Sequence, residues 1–213
     1  MIGDDHRLVF PATARNREPI ADVLANWLPK SGTVLEIASG SGEHAVAFQS
    51  RFPGICWQAS DLEPEQRRSI DAWIAASGVV GRMPSALDLD VEKQPWDLPA
   101  PVITDLAALV CINLLHISPA NCTCALLEQA GRLLPQGAPL IIYGPFKRDG
   151  GHISESNATF DRSLKERNPC WGVRDLEWLL ELASERNAFE LNACISMPAK
   201  NIAIVLSRNQ SLP

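Results

Sequence analysis

The stretch from Val34 to His44, Val-Leu-Glu-Ile-Ala-Ser-Gly-Ser-Gly-Glu-His, constrains the fold more than any other part of the chain. It opens as a short apolar strand and closes as the start of a helix. Between them, Gly40 and Gly42 let the backbone turn sharply and come close to a ligand with no side chain in the way. An acidic residue, Glu36, stands four positions before Gly40. Strand, glycine turn and helix in this order form the phosphate or cofactor crevice of a doubly wound sheet.

The rest of the chain repeats that alternation. Residues 1–15 read as an irregular arm, followed by a helix that starts near Asn16 and Pro19 and carries Ile20, Val23, Leu24, Trp27 and Leu28 on one stripe. After Val34–Ala38 and its helix, Ile55–Ala59 reads as a second strand. Asp61 then caps a helix with Pro64 in its first turn. A weaker strand is expected over Arg82–Leu87, with a Pro/Trp loop running through Trp96 and Pro101. Leu106–Asn113 is a near-continuous apolar run, as a central parallel strand requires. A helix opening at Ser118-Pro119 follows, then a fifth strand, Pro139–Gly144. From Pro145 to Gly172 the pattern is lost apart from one short helix near Asn157–Glu166. This 145–172 segment reads as a lid-like insertion, because long loops after the strands of such sheets usually carry function. A last helix holds Leu176, Leu179, Leu180 and Ala183. Phe189–Ser196 and Asn201–Ser207 are too close in sequence for a parallel crossover and must pair as a hairpin. The expectation is one α/β domain over residues 1–213. It would be doubly wound, with a mostly parallel seven-stranded sheet closed by an antiparallel hairpin.

The totals bound the function. A chain of 213 residues suits one domain with a proper core. A net charge of -6 with no long Lys/Arg run does not indicate a nucleic-acid surface. No segment reaches the ~18 uninterrupted apolar residues of a membrane span. The N-terminus lacks a signal-peptide pattern. The six cysteines form no Cys-x-x-Cys pair, which fits free thiols in a reducing cytoplasm, and Cys122 and Cys124 are two apart on a helix, which argues against a metal site.

Two cofactors compete for the glycine turn. Gly40-Ser41-Gly42 through Ala45 matches a dinucleotide fingerprint, with Asp61 standing 19 residues past Gly42 to bind a ribose. Against NAD, Glu36 would set a negative charge near a pyrophosphate, and the chain has little room for a separate substrate domain. Both features, with the closing hairpin, suit S-adenosylmethionine, whose ammonium and sulfonium favour nearby carboxylates.

A resemblance sharpens this choice. Glu-x-x-x-Gly-x-Gly at 36–42, an acidic residue ending the second strand and the terminal hairpin look like a class I methyltransferase. More narrowly, five stretches resemble the DUF938 family, also called methyltransferase-like 26. They are Arg15–Ile20, Ala38–His44, Asn113–Ser118, Tyr143–Phe146 and Trp171–Asp175, and together they run through nearly the whole chain. The resemblance implies methyl transfer to an acceptor that the family does not define, most simply a small molecule. The chain departs from the wider class at Ala38, where many members have a glycine.

Chemistry and resemblance together assign candidate roles. Glu36 would orient the ammonium end of the cofactor, directly or through the turn, or else simply brace the turn. Ala38, Gly40 and Gly42 would underlie the ligand. Asp61, followed by Leu62, would accept the ribose hydroxyls or serve as a plain helix cap. Asp88 would meet the adenine amine with Leu89 packed on the ring; a solvated loop acid is the other reading. Asn113 would lie beside the transferred methyl, or satisfy local backbone at the strand end. His116 would take a proton from an O–H or N–H nucleophile, or cap a helix near Ser118. His44 would contact the cofactor carboxylate, or sit at the surface. Arg15, on an arm over residues 1–19 folded across the crevice, would pair with that carboxylate; Arg17 is its neighbour. Tyr143, the only tyrosine, would line the acceptor pocket. Lys147, Arg148, His152 and Asn157 are lid candidates. The alternatives are a protein that binds S-adenosylmethionine without catalysis and a small NAD-dependent oxidoreductase.

Overall fold

The computed structural model describes residues 6–187 and 189–209. Its elements in chain order are α1 (Pro11–Trp27), β1 (Gly32–Ile37), α2 (Glu43–Arg51), β2 (Ile55–Asp61), α3 (Pro64–Ala76), β3 (Leu87–Asp88), α4 (Ala100–Thr104), β4 (Leu106–Ile112) and α5 (Ala120–Leu133). They continue as β5 (Pro139–Gly144), β6 (Phe146–Arg148), β7 (Gly151–His152), α6 (Glu155–Arg167), β8 (Arg174–Asp175), α7 (Leu176–Asn187), β9 (Phe189–Met197) and β10 (Asn201–Arg208). Seven strands form one sheet in the order β3-β2-β1-β4-β5-β10-β9, and β7-β6-β8 form a second, small sheet. Pairings β1/β2 and β2/β3 are parallel, whereas β5/β10 and β9/β10 are antiparallel. The fold is therefore α/β and doubly wound, as the alternation predicts. No helix among the described residues is long and apolar enough to cross a membrane.

The chain divides into two compact units. One runs through the described residues up to Asp90 and includes Trp96–Val110; the other holds Val91–Pro95 and everything described from Cys111 onward.

In the first unit, strand β1 is buried on both faces from Thr33 to Ile37. Gly32 opens it because a Cβ there would lie 2.5 Å from that of Ala107. Leu24, Leu35, Phe48, Trp57 and Ile70 fill the core. The Trp57 ring packs on Phe48 with centroids 5.2 Å apart. Buried Gln49 fastens α2 to β2 with both ends of its amide. Its Nε2 donates to the Ile55 carbonyl at 2.8 Å, and its Oε1 accepts from the Trp57 N–H at 2.9 Å. A buried amide satisfied in this way stabilises rather than costs.

The second unit buries Leu126, Leu127, Leu140 and Phe146. The insertion after β5 is ordered: it builds the small sheet and α6, whose N-cap Ser154 accepts from the Asn157 N–H at 3.2 Å.

Four local expectations need correction. Helix α1 starts at Pro11 rather than near Asn16, with Pro11 at its first turn and Pro19 inside it. Proline is at home in a first turn, whereas at 19 it only removes one helical bond from a helix whose apolar stripe is buried. The strand expected over 82–87 shrinks to Leu87–Asp88. The chain before it closes on itself, since the Arg82 and Met83 N–H groups both donate to the Val79 carbonyl, and Pro84 has no N–H to give to a ladder. The Pro-rich loop contains a short helix, α4, because Pro101 fits its first turn. Finally, Asp61 is not the cap of α3; that position belongs to Glu63.

Candidate functional site: a glycine turn and a strand-end histidine

The first unit carries the glycine turn. After β1 the backbone passes through three left-handed residues, Ala38 (φ 54°), Gly40 (φ 59°) and Gly42 (φ 91°). Ala38 holds a conformation that costs an L-residue about 1 kcal/mol, which gives a physical reason for the glycine often found there in the wider class. Asp61 bridges the turn to the end of β2. Its Oδ2 accepts from the Gly40 N–H at 2.9 Å and its Oδ1 from the Glu63 N–H at 3.0 Å. Burial pushes this carboxyl's pKa up, against the two N–H bonds and the charge of Arg67. Arg67 in turn reaches the Asp61 and Leu62 carbonyls and pairs with Asp88 at 3.0 Å. Asp88 stays exposed, Leu62 shows 49% of its surface and Leu89 is buried.

The two glycines differ. A Cβ on Gly42 would lie 2.7 Å from the Cα of Ile70, so its bareness serves the close approach of α3. A Cβ on Gly40 would meet only the Phe10 ring, at 3.5 Å.

Glu36 lies behind the turn, 1% exposed. Its Oε2 accepts from Trp57 Nε1 at 3.0 Å, and its carbonyl accepts from Ser60 Oγ at 2.7 Å. Burial raises its pKa to about 7, with the Trp57 and Ser39 bonds pulling the other way. The charge argument against a pyrophosphate is accordingly weaker than the sequence suggests. The Glu36 carboxylate thus bonds to the Trp57 indole of β2, while its backbone carbonyl ties β1 to Ser60.

His44 is not at the surface. It is buried, stacked on Phe48 with centroids 5.5 Å apart, and its Nε2 donates to Asn16 Oδ1 at 2.9 Å. Burial, helped by Arg17, lowers its pKa to about 4, so the ring is neutral at pH 7. Its work is to tie α1 to α2. Arg15 is exposed on α1, and Arg17 pairs with Glu18 at 3.3 Å.

The sequence reading missed Phe10, Ser41, Glu43 and Ser69. Ser69 Oγ donates to the Ser41 carbonyl at 2.7 Å, and Ser41 Oγ donates to Glu43 Oε2 at 2.9 Å. Ser41 and Glu43 lie within the Ala38–His44 stretch but in no assigned role, and no motif marks Phe10 or Ser69; these last two are tied to the turn only through the fold.

The second unit carries Asn113, His116 and Tyr143. Asn113 is also left-handed, at φ 60°, and its N–H donates to the Tyr143 carbonyl at 2.8 Å. Asparagine tolerates that conformation better than alanine does. His116 sits on a short turn, Leu115–Ile117, rather than capping a helix. A Cβ on Gly144 would be 3.5 Å from its Nδ1 and 3.9 Å from Asn113 Oδ1, so both side chains gather beside this strand end. Phe160 meets the imidazole edge-on at 5.5 Å, and the His116 carbonyl accepts from the Gly172 N–H at 3.0 Å. Burial, with the charge of Arg174, lowers the pKa of His116 to about 4. Tyr143 is buried, and its hydroxyl accepts from Asn201 Nδ2 at 3.0 Å.

The insertion gathers on Asp161. Its Oδ2 lies 2.7 Å from Lys165, 3.2 Å from His152 and 3.6 Å from Lys147, and its Oδ1 accepts from the Val173 N–H at 2.7 Å. Burial alone would raise this carboxyl, but the Lys165 and Val173 bonds and the charge of Lys147 hold it below the usual range. Of the lid candidates, Lys147 and His152 join this cluster. Arg148 instead contacts Cys194, and Asn157 Nδ2 donates to the Lys200 carbonyl.

A model of the family described as a protein of unknown function, DUF938, matches residues 7–208. The chain belongs to the DUF938 family. Among solved structures, this DUF938 protein is similar to an O-methyltransferase family protein from Burkholderia thailandensis (19% identity, TM-score 0.74), covering 94% of the chain and 58% of that protein. It is also similar to an O-methyltransferase family 2 protein from Planctomyces limnophilus, solved in complex with apigenin (19% identity, TM-score 0.75, covering 92% and 58%). A third is human N-acetylserotonin methyltransferase in complex with S-adenosylmethionine (15% identity, TM-score 0.70, covering 93% and 53%). The chain thus spans little more than half the length of these proteins. At such identities the likeness establishes the methyltransferase fold.

Proposed function

We propose that this DUF938 protein is an S-adenosylmethionine-dependent methyltransferase acting on a small molecule. The observation that carries the reading is the bracket of Asp61 across the turn. Each of its oxygens already holds one backbone N–H and keeps a lone pair for a further donor. Exposed apolar surface on Leu62 and the exposed carboxylate of Asp88, paired through one oxygen with Arg67, stand beside it at the strand ends.

The cofactor supplies a methyl group already activated on a positive sulfur. Asp61 holds the ribose hydroxyls. Asp88 accepts from the adenine amine, with Leu62 and Leu89 against the ring. Ala38, Gly40 and Gly42 form the floor of the turn, and Glu36 and His44 act on the cofactor by fixing that floor. Arg15 remains the candidate for the cofactor carboxylate.

Asn113, His116 and Tyr143 serve the acceptor. A histidine with so low a pKa is neutral at pH 7 and a weak base, so His116 orients the nucleophile by hydrogen bonding and receives a proton only from an acidic group. The protein's main contributions are alignment and exclusion of water. The free cysteines suit a reducing compartment such as the cytoplasm.

Calorimetry with S-adenosylmethionine, S-adenosylhomocysteine and NAD tests the cofactor, and transfer of a labelled methyl to a metabolite panel tests catalysis. Asp61→Ala is expected to weaken S-adenosylhomocysteine at least about tenfold, the loss of a charge-assisted hydrogen bond. Preference for NAD, or an unchanged affinity in the variant, overturns the assignment. Cofactor binding without turnover on any panel member favours a binding protein instead.

A further inference from the structure

We infer that the strap formed by residues 7–10 is part of the cofactor site, and that Phe10 is a cofactor-contacting residue which the neighbouring helices hold in place. This rests on the cofactor reading above and adds a residue to it.

The strap is fastened at both ends. The Leu8 N–H donates to Ser69 Oγ at 2.8 Å, and the Leu8 carbonyl accepts from Trp73 Nε1 at 2.9 Å. Arg7 lies over the Trp73 ring, 4.9 Å from its centroid. Two residues on, the Phe10 N–H donates to Glu43 Oε2 at 2.7 Å. The anchors are themselves linked to the glycine turn. Ser69 donates to the Ser41 carbonyl, and Ser41 donates to the same Glu43 oxygen that receives Phe10. A loop of bonds therefore runs from Leu8 through Ser69, Ser41 and Glu43 to Phe10. The backbone of the turn and the backbone of the strap are registered to each other by side chains that do nothing else evident.

The consequence falls on Phe10. Its ring faces the bare side of Gly40, 3.5 Å from where a Cβ would lie, and the residue is still 40% exposed. Val9 beside it is 65% exposed. Apolar side chains left open at the turn glycine whose missing Cβ meets nothing but the Phe10 ring call for an apolar partner. A ligand lying on the turn would meet the ring from the side that Gly40 leaves free. The ring would cover its aliphatic part, and a positive centre within reach gains from the aromatic face. The arm's contribution to binding is then aromatic, alongside whatever the exposed Arg15 provides.

The test measures S-adenosylhomocysteine binding by calorimetry, with amide hydrogen exchange at Leu8 and Phe10. For the unmodified protein, the ligand is expected to slow exchange at both amides. Phe10→Ala is expected to raise the dissociation constant about tenfold, the worth of one covered aromatic face. Trp73→Phe keeps the ring but removes the bond to the Leu8 carbonyl. It is expected to speed exchange at Leu8 and to weaken binding about threefold, leaving Asp61 untouched. If the unmodified protein binds neither S-adenosylhomocysteine nor S-adenosylmethionine, the cofactor reading fails and this inference with it. If it binds, but Phe10→Ala binds equally well and the strap amides ignore the ligand, the inference alone is overturned.

Discussion

In the first unit a buried acid and a buried base have pKa values displaced in opposite senses; in the second, His116 has no such counterweight among the described residues. Glu36 is raised from 4.5 to about 7, so its contribution to stability is full below pH 4.5 and is lost as pH rises through about 7. His44 is lowered from 6.5 to about 4, so its contribution is full above pH 6.5 and is lost as pH falls through about 4. Between these limits the two slopes oppose each other, and Asp61, also raised by burial, adds to that of Glu36. His116 is lowered as His44 is. Asp161 is lowered too and adds a loss of the same sign at lower pH. The unit bearing the glycine turn therefore carries opposed slopes, whereas the unit bearing the strand-end histidine carries slopes of one sign and is sensitive to acid.

The largest effect tests that difference directly. Between pH 7.5 and pH 4.5, His116 alone is expected to withdraw about 3 kcal/mol. Hydrogen exchange should therefore show amides of β5 and β10 losing protection before those of β1 and β2. His116→Gln should remove that part of the acid slope in urea titrations. Equal loss in the two units would break the comparison.

A second, somewhat smaller effect sharpens it from the other side. Glu36→Gln removes an ionisation that opposes the fold above pH 7, yet it must find room for an amide N–H₂. The unfolding free energy from denaturant titration at pH 8 is expected to rise by about 2 kcal/mol, with little change at pH 4. The first unit would then become as acid-labile as the second. A variant no more stable at pH 8 than its parent would show that Glu36 is not held near neutrality.

The smallest effect concerns the two left-handed residues that end β1 and β4. Ala38→Gly relieves strain of about 1 kcal/mol against an entropic cost of similar size, so a gain of about 0.5 kcal/mol or less is expected. Asn113→Gly gains nothing, because asparagine already tolerates that conformation, and it loses the side chain packed at Gly144. Thermal melts of the pair should therefore differ in sign.

The order of elements was legible in the sequence because apolar periodicity and Gly/Pro punctuation report it directly. β1, β2, β4, β5 and the closing hairpin lie within a residue or two of where the pattern puts them. The shrunken β3 was not legible, since Val79–Met83 folds back through backbone bonds that leave no mark on residue types. Nor was the small sheet, whose strands are two or three residues long. At the site, Asp61 was singled out by its spacing from Gly42, but its bond to the Gly40 N–H was not legible. His44 was misjudged because a polar residue after a glycine turn resembles a surface residue until Asn16 and Phe48 close over it. Phe10 was invisible for a similar reason: its meaning depends on Gly40 and Glu43, thirty and more positions away.

The cluster at Asp161 has a consequence for how this chain can change. One carboxylate answers Lys147 from the small sheet, His152 from its next strand, Lys165 from α6 and the amide of Val173 at the exit of the segment. Replacing it strands several partners at once, while altering any one partner leaves the others anchored. Variation in this part of the molecule should therefore come piecemeal among the cations and all together at the acid, giving the segment the character of an exchangeable cassette hung on a single peg.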